Sequence, residues 1–205
     1  MAVAGPDGIP VPDGVRGLIF DCDGTLADSM PYHMEAWHQA FGAAGVKVPL
    51  SWLDEQKGQP ETFIVSLANE QFGFTLDPRT TVDIKHRVFR SHLDEVRPID
   101  PVVAVVHAYR GTLPMAVASG GTRANVDEIL RRIGLSDDFS VVLTADDDVP
   151  AKPSPEIFLE AARRLGVEPT ACQVFEDGEM GLEAARRAGM IATDIRPYLA
   201  KEQEP

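Results

Sequence analysis

Short, continuous runs of apolar residues recur along the chain and predict the strands of a sheet. Because these runs do not alternate between apolar and polar positions, they are typical of strands that are covered on both faces. The five runs cover residues 16–21, 114–118, 141–144, 171–176 and 190–195.

Apolar residues at helical spacing separate the later runs. This alternation of strand and helix, from about residue 112 onward, predicts an α/β fold with a Rossmann-like parallel sheet and right-handed crossovers. The predicted helices cover residues 122–133, 155–165 and 179–188.

The interval between the first two strands is roughly ninety residues, whereas a single crossover requires only about a dozen. Apolar residues recur there at helical spacing, and most of the aromatic residues of the chain fall there. We therefore predict a helical-bundle cap at 30–97, inserted into an α/β core made of 1–29 and 98–205. We expect this cap near the carboxyl end of the first strand, where open α/β sheets bind ligands.

Composition narrows the classes of function. Hydrophobic residues make up 44% and charged residues 25%, which is ordinary for a globular protein. The formal net charge of −13 argues against nucleic acid or anionic membranes as partners. No apolar run approaches the ~20 residues of a membrane span. We expect a small-molecule enzyme, and nothing in the sequence requires more than a monomer.

The start of the chain and the cysteines suggest a compartment. Residues 1–14 are rich in proline and glycine, lack the apolar stretch of a signal peptide, and are predicted to be a loose extension. Cys22 and Cys172 each lie in an apolar run and are interpreted as small buried hydrophobic residues. We therefore expect a cytoplasmic protein.

Two aspartates, Asp21 and Asp23, end the first predicted strand. Side chains two positions apart point to the same side of an extended chain. The pair would therefore bind a cation such as Mg²⁺, with Asp21 as a nucleophile and Asp23 as an acid and base. Read alone, the pattern favours a turn that only caps the strand.

Three later strand ends also carry residues that could take part in binding or catalysis. Ser119 and Gly120 precede a helix and could bind an anion, or the serine could merely cap that helix. Lys152 lies in a stiff turn and could neutralise a phosphate, although most lysines are simply solvated. Glu176 and Asp177 could complete a magnesium site or merely begin a polar loop. The ordered occurrence of all these groups favours a reaction centre.

The four segments DCDGTLADS, VASGG, AKPSPEIF and VFEDGEMG resemble the four motifs of the haloacid dehalogenase superfamily, and the resemblance covers residues 16–197. The chain is similar to the β-phosphoglucomutase-like branch. Within that branch it most resembles bacterial sugar-phosphate phosphatases of the fructose-1-phosphate type.

The resemblance implies a role for each motif residue. Asp21 corresponds to the nucleophile that becomes an aspartyl phosphate. Asp23 corresponds to the general acid and base, with its backbone carbonyl on Mg²⁺. Ser119, with Gly120, and Lys152 correspond to the phosphate-binding groups. The metal-binding acids correspond to Glu176 and Asp177.

Cap residues are also implied by the resemblance. His33 and Trp37 match a motif on the first cap helix, where the histidine either links cap closure to the general acid or makes an interhelical polar contact. Lys57 matches the lysine of a mutase motif, but Glu61 stands where that motif has arginine. Lys85 is expected to supply a cation to the substrate or to lie on a solvated face.

These features favour a Mg²⁺-dependent phosphatase that acts on a small sugar phosphate. A dehalogenase requires no acid at position 23 and no metal. A β-phosphoglucomutase that interconverts β-glucose 1-phosphate and glucose 6-phosphate stays open as an alternative, although Glu61 would repel a second phosphate. A non-catalytic binding protein with the same fold is a more remote alternative.

Overall fold

The computed structural model describes residues 3–4 and 8–199. The chain divides into two compact units, which we call the sheet unit (Met1–Asp28 with Arg97–Pro205) and the helical unit (Ser29–Val96). The predicted cap limits, 30 and 97, lie one residue from the observed ones.

The sheet unit contains a five-stranded parallel sheet, which confirms the predicted α/β fold. In chain order its strands are β3 (Gly17–Phe20), β6 (Met115–Ala118), β7 (Val141–Leu143), β8 (Cys172–Glu176) and β9 (Ile191–Asp194). Their order across the sheet is β7-β6-β3-β8-β9.

The central strands are buried at every position, as their continuous apolar runs predicted. Strand β3 lies between β6 and β8, with Ile19 opposite Ala116 on one side and Val174 on the other. Because neighbouring parallel strands end at the same edge, the residues that follow β3, β6 and β8 are brought together there.

In the described part of the sheet unit, four α-helices occur with the sheet. They are α5 (Asp100–Tyr109), α6 (Arg123–Arg132), α7 (Glu156–Leu165) and α8 (Glu179–Arg187). Helices α7 and α8 bury alanines and Phe158 against the sheet, in one core with Ile19 and Val174. Helix α5 was not predicted, because its run of valines suits a buried strand and a buried helix equally well.

The beginning of the sheet unit differs from the prediction of a loose extension over 1–14. Strand β2 (Pro10–Val11) pairs with β1 (Val3–Ala4), and the side chains of Ile9 and Val11 are buried. Gln173 of β8 also donates a hydrogen bond to the carbonyl of Pro10 at 2.9 Å. Residues 1, 2 and 5–7 lie outside the described residues.

A small ribbon marks the limits of the inserted segment. Strand β4 (Ala27–Asp28) pairs antiparallel with β5 (Arg97–Pro98). The amide of Ile99 donates to the carbonyl of Leu26 at 2.9 Å. The chain therefore leaves and re-enters the sheet unit at neighbouring points.

The helical unit has its own apolar core. Its helices are α1 (Met30–Ala43), α2 (Leu50–Glu55), α3 (Glu61–Phe72) and α4 (Pro78–Ser91). Trp37, Phe41, Trp52, Ile64 and Val65 are buried together in that core. In the described part of the chain, no helix is long and apolar enough to cross a membrane.

Candidate active site

Asp21 lies directly beyond β3, at the edge of the sheet. Its amide continues the ladder by donating to the carbonyl of Phe175 at 3.1 Å. The chain then turns sharply, because the carbonyl of Cys22 accepts the amides of Leu26 and Ala27, each at 3.0 Å. Gly24 has a φ of +85°, which only glycine adopts without strain. The turn therefore holds the carboxylate of Asp21 at the strand end, where it is 7% exposed.

Lys152 joins two carboxylates at this edge. Its Nζ donates to Oδ1 of Asp21 at 2.7 Å and to Oε1 of Glu176 at 2.6 Å. Burial alone would lower the pKa of Lys152, but the charges of Asp21 and Glu176 and their hydrogen bonds raise it above its usual value. Lys152 is therefore a fixed cation, although sequence alone allowed a solvated lysine.

Glu176 is held in a confined position at the end of β8. Its Oε2 accepts the amide of Gly178 at 2.9 Å, while its Oε1 accepts from Lys152. A Cβ atom added at Gly181 of α8 would lie 1.8 Å from Oε1 of Glu176. Only glycine at position 181 therefore leaves room for this carboxylate.

Asp177 follows Glu176 and receives support from the turn after β3. The hydroxyl of Thr25 donates to Oδ1 of Asp177 at 3.1 Å. Burial and the nearby charge of Glu176 raise the pKa of Asp177 from 3.8 to about 6. Burial likewise raises the pKa of Asp21 well above its usual value, despite the opposing charge of Lys152. Three carboxylates therefore lie near Lys152, in surroundings where burial disfavours their ionised forms.

This acidic cluster has the composition of a site for a hard cation. Asp21, Glu176 and Asp177 each offer a carboxylate oxygen, and these three oxygens lie within 4.8 Å of one another. Oxygen-only ligands are those preferred by Mg²⁺ and Ca²⁺. A divalent cation would favour the ionised forms of Asp21 and Asp177, whose pKa values are raised mainly by burial. The residues present thus fit a bound metal ion.

Ser119 lies just beyond β6 and is 1% exposed. Its Oγ accepts the amide of Gly121 at 2.9 Å, so its own hydrogen can be donated elsewhere. A Cβ atom added at Gly121 would lie 3.2 Å from Oγ of Ser119 and 3.3 Å from Oδ2 of Asp23. The turn that contains Gly120 therefore places the serine hydroxyl and the second aspartate near one another.

The structure thus gathers the sequence-predicted residues of the sheet unit at one sheet edge. Two supporting residues, Thr25 and Gly181, were not predicted. Thr25 has only a weak signal in the sequence, as a hydroxyl two residues after Asp23. Gly181 carries a clearer signal, because glycine inside a helix usually has a packing reason.

The cap residues form a separate group inside the helical unit. The Nζ of Lys85 donates to Nδ1 of His33 at 2.8 Å and to Oε1 of Glu61 at 2.6 Å. Nε2 of His86 lies 2.5 Å from Oε2 of Glu61. Lys85 is 2% exposed, so the solvated alternative for this lysine is wrong.

Two other cap residues have different surroundings. Trp37 is buried in the core of the helical unit, and its ring centroid lies 5.7 Å from Nζ of Lys85. Lys57, by contrast, is an exposed residue that pairs with Asp54 one turn earlier. The structure therefore does not bring Lys57 into the group formed by His33 and Lys85.

Comparisons with known proteins agree with this arrangement. The model of the haloacid dehalogenase-like hydrolase family matches residues 15–189. The fructose-1-phosphate phosphatase YqaB of Escherichia coli (strain K12) is 40% identical over 181 residues, which cover 88% of this chain and 96% of that relative. A beta-phosphoglucomutase of Bacillus subtilis (strain 168) is 26% identical over 188 residues, which cover 88% of this chain and 83% of that relative.

A solved structure supports the fold independently. The crystal structure of CbbY from Rhodobacter sphaeroides in complex with phosphate has a TM-score of 0.77 and 24% sequence identity. The similarity covers 92% of this chain and 90% of that one. The chain belongs to the haloacid dehalogenase-like hydrolase family.

Proposed function

We propose that this protein is a Mg²⁺-dependent phosphatase that hydrolyses a small sugar phosphate through an aspartyl phosphate on Asp21. The observation that carries the proposal is the contact of Lys152 with both Asp21 and Glu176, beside a third carboxylate at the same sheet edge. This arrangement combines a nucleophile, a fixed cation and oxygen ligands for a metal.

The reaction has two steps. In the first, a carboxylate oxygen of Asp21 forms a bond to phosphorus, and the bond from phosphorus to the sugar oxygen breaks while Asp23 gives that oxygen a proton. In the second, Asp23 takes a proton from water, the water oxygen bonds to phosphorus, and the bond to Asp21 breaks. The products are the free sugar, inorganic phosphate and the original carboxylate.

The groups around Asp21 have supporting roles. Lys152 orients the carboxylate through Oδ1 and remains protonated, so it offsets the negative charge of the transferring group. The hydroxyl of Ser119 can donate to a phosphate oxygen. Mg²⁺, held by Asp21, Glu176, Asp177 and the backbone carbonyl of Asp23, would neutralise charge on the phosphoryl oxygens.

The helical unit is proposed to select the sugar, with His33, Trp37 and Lys85 contributing to its structure. Since Trp37 and Lys85 are buried, they would act by holding neighbouring side chains rather than by contact with the sugar. Among these, Lys85 is neutralised by Glu61 at 2.6 Å. A second phosphate near this pair would meet the carboxylate of Glu61, which disfavours a bisphosphate. This favours a phosphatase over the alternative of a β-phosphoglucomutase, which requires a bisphosphate.

The proposal is tested by assaying phosphate release from a panel of sugar monophosphates with and without Mg²⁺. We expect release that requires Mg²⁺ and falls on the order of 10⁴-fold or more in Asp21→Asn, because the amide is not a nucleophile. Asp137→Asn, which changes an exposed aspartate of the sheet unit, is the matched control and should behave as wild type.

Three results would contradict the proposal. One is full activity in Asp21→Asn, and another is the absence of release from every monophosphate in the panel. The third is sustained conversion of β-glucose 1-phosphate to glucose 6-phosphate without free phosphate, which would establish the mutase instead.

A further inference from the structure

Beyond the residues that contact substrate or metal, an ionic network in the sheet unit surrounds Asp147, in the loop after β7. Oδ2 of Asp147 accepts the amide of Thr144 at 2.9 Å and its hydroxyl at 3.1 Å. The same oxygen accepts from Nη2 of Arg123 on α6 at 3.2 Å. Its Oδ1 lies 3.5 Å from Nη1 of Arg164 on α7. Asp147 thus stabilises the loop at 144–148, in which it lies, and links this loop to α6 and α7.

Backbone hydrogen bonds connect the chain around this loop to the turn that follows β6. The amide of Ala145 donates to the carbonyl of Gly121 at 2.9 Å, and the amide of Ser119 donates to the carbonyl of Leu143 at 3.0 Å. The side chain of Asp146 accepts the amide of Arg123 at 2.8 Å. The position of the Ser119–Gly121 turn therefore depends on the loop that Asp147 closes.

The N-terminus of α6 also depends on the loop after β7 for its hydrogen bonds. Thr122 precedes the helix, but its side chain makes no capping hydrogen bond, and its Oγ1 is buried without a partner. The first helical amide is satisfied from the neighbouring loop, by Asp146. Local sequence around residues 119–123 is therefore insufficient to hold this turn, and the loop after β7 supplies the missing contacts.

We propose that Asp147 is a positioning residue for phosphate, because it holds the loop 144–148 against the Ser119–Gly121 turn and thereby aims the hydroxyl of Ser119. This inference rests on the proposed function, in which Ser119 binds the phosphate of the substrate. Asp147 itself lies among Thr144, Arg123 and Arg164 and has no part in the chemistry.

The exposure of the network makes the inference testable. The side chains of Arg123 and Arg164 are each 39% exposed, so their ion pairs with Asp147 contribute little to folding. A variant that lacks the carboxylate is expected to fold. Its effect should appear in phosphate affinity rather than in overall stability.

The experiment compares Asp147→Ala with Asp148→Ala, which removes the neighbouring, exposed aspartate. Binding of inorganic phosphate to the full chain in the presence of Mg²⁺ is measured by calorimetry, and amide exchange at Ala145 is followed by NMR. For Asp147→Ala we expect faster exchange at Ala145 and an increase of about tenfold in the phosphate Kd and in KM, with kcat nearly unchanged. Asp148→Ala should change none of these quantities.

Asp147→Asn provides a conservative rescue. Its side-chain oxygen can still accept the amide of Thr144, so it should restore most of the phosphate affinity that Asp147→Ala loses. The inference is overturned if Asp147→Ala binds phosphate as tightly as wild type, whether or not exchange at Ala145 changes. Failure of the wild type to bind phosphate or release it from any substrate would instead overturn the proposed function, and exchange at Ala145 would still report on the network.

Discussion

Lys152 in the sheet unit and Lys85 in the helical unit are both buried ammonium groups, with 11% and 2% of their side chains exposed. Lys152 contacts two carboxylates, those of Asp21 and Glu176, and the carboxylate of Asp177 lies close to both. Negative charge therefore exceeds positive charge around Lys152. This surplus is what a divalent cation and a catalytic carboxylate require.

Lys85 has balanced surroundings. It contacts one carboxylate, that of Glu61, and a ring nitrogen of His33, and it lies over the rings of Trp37 and Phe89. One ammonium thus meets one carboxylate. Both lysines are largely buried, but they differ in the carboxylates around them. The proposed chemistry uses the three carboxylates near Lys152, whereas Lys85 is neutralised inside the helical unit.

Within this comparison of the two lysines, the largest effect is expected from the removal of Lys152. Lys152→Met is expected to lower phosphate release by on the order of 10²–10³-fold, because the nucleophile loses its orienting and neutralising partner. Mg²⁺ should then raise the melting temperature more than in wild type, since the carboxylates have lost the ammonium group of Lys152.

Lys85→Met is the matched variant in the helical unit. It leaves Glu61 with His86, and Glu61 is 32% exposed, so water screens its charge. We expect a loss of about 1–2 kcal/mol in the free energy of unfolding and less than a tenfold change in phosphate release. Equal losses of activity in the two variants, with no difference in the response to Mg²⁺, would remove the distinction between the two lysines.

The next largest effect on phosphate release is expected for Gly181→Ala, which is compared with a second helical glycine, Gly42. Gly181→Ala would place a methyl group 1.8 Å from Oε1 of Glu176, so the carboxylate has to move away from Lys152. We expect a decrease of about 10–100-fold in phosphate release, the range seen when a supporting contact of a catalytic site is lost. The assay is steady-state kinetics at saturating Mg²⁺.

Gly42→Ala in α1 is the control for this substitution. A Cβ at Gly42 would meet nothing within 4 Å. Because alanine favours helices over glycine, we expect a gain of about 0.5–1 kcal/mol in stability and unchanged activity. Wild-type activity in Gly181→Ala would show that the position of Glu176 does not matter for catalysis.

The sequence indicated the residues of the proposed site more completely than the contacts that support them. Continuous apolar runs located β3, β6 and β8, and the residues after each strand could be assigned to one edge because parallel strands end together. The family resemblance then implied different roles for Asp21 and Asp23. These predictions rest on short-range pattern and on topology.

The contacts that support the proposed site cannot be predicted from short stretches of sequence. The approach of Gly181 to Glu176 and the ties of Asp147 to Arg123 and Arg164 involve side chains on different elements. The same holds in the helical unit, where Glu61 was interpreted from its charge alone, without its partners. Only the packed structure shows which charges are neutralised.

The smallest expected effect is a pH dependence of Mg²⁺ affinity, which distinguishes the acidic residues of the sheet unit from Glu61 of the helical unit. Burial and the charge of Glu176 raise the pKa of Asp177 to about 6, and protons therefore compete with a metal ion below that pH. We expect Mg²⁺ affinity to be constant above about pH 7 and to fall by up to about tenfold per pH unit below 6. Titration of Mg²⁺ into the protein between pH 5 and 8 measures this.

Glu61 gives the contrast within the same experiment. Burial alone would raise the pKa of Glu61, but the hydrogen bonds and charges of His86 and Lys85 lower it to about 2. The carboxylate of Glu61 therefore stays ionised throughout this pH range, and its pairing with Lys85 is retained while Asp177 takes up a proton. A carboxyl ¹³C NMR titration distinguishes the two residues. A midpoint for Asp177 near its ordinary value of 3.8 in the metal-free protein would mean that the sheet unit carries no surplus of buried negative charge, and the contrast between the two lysines would fail with it.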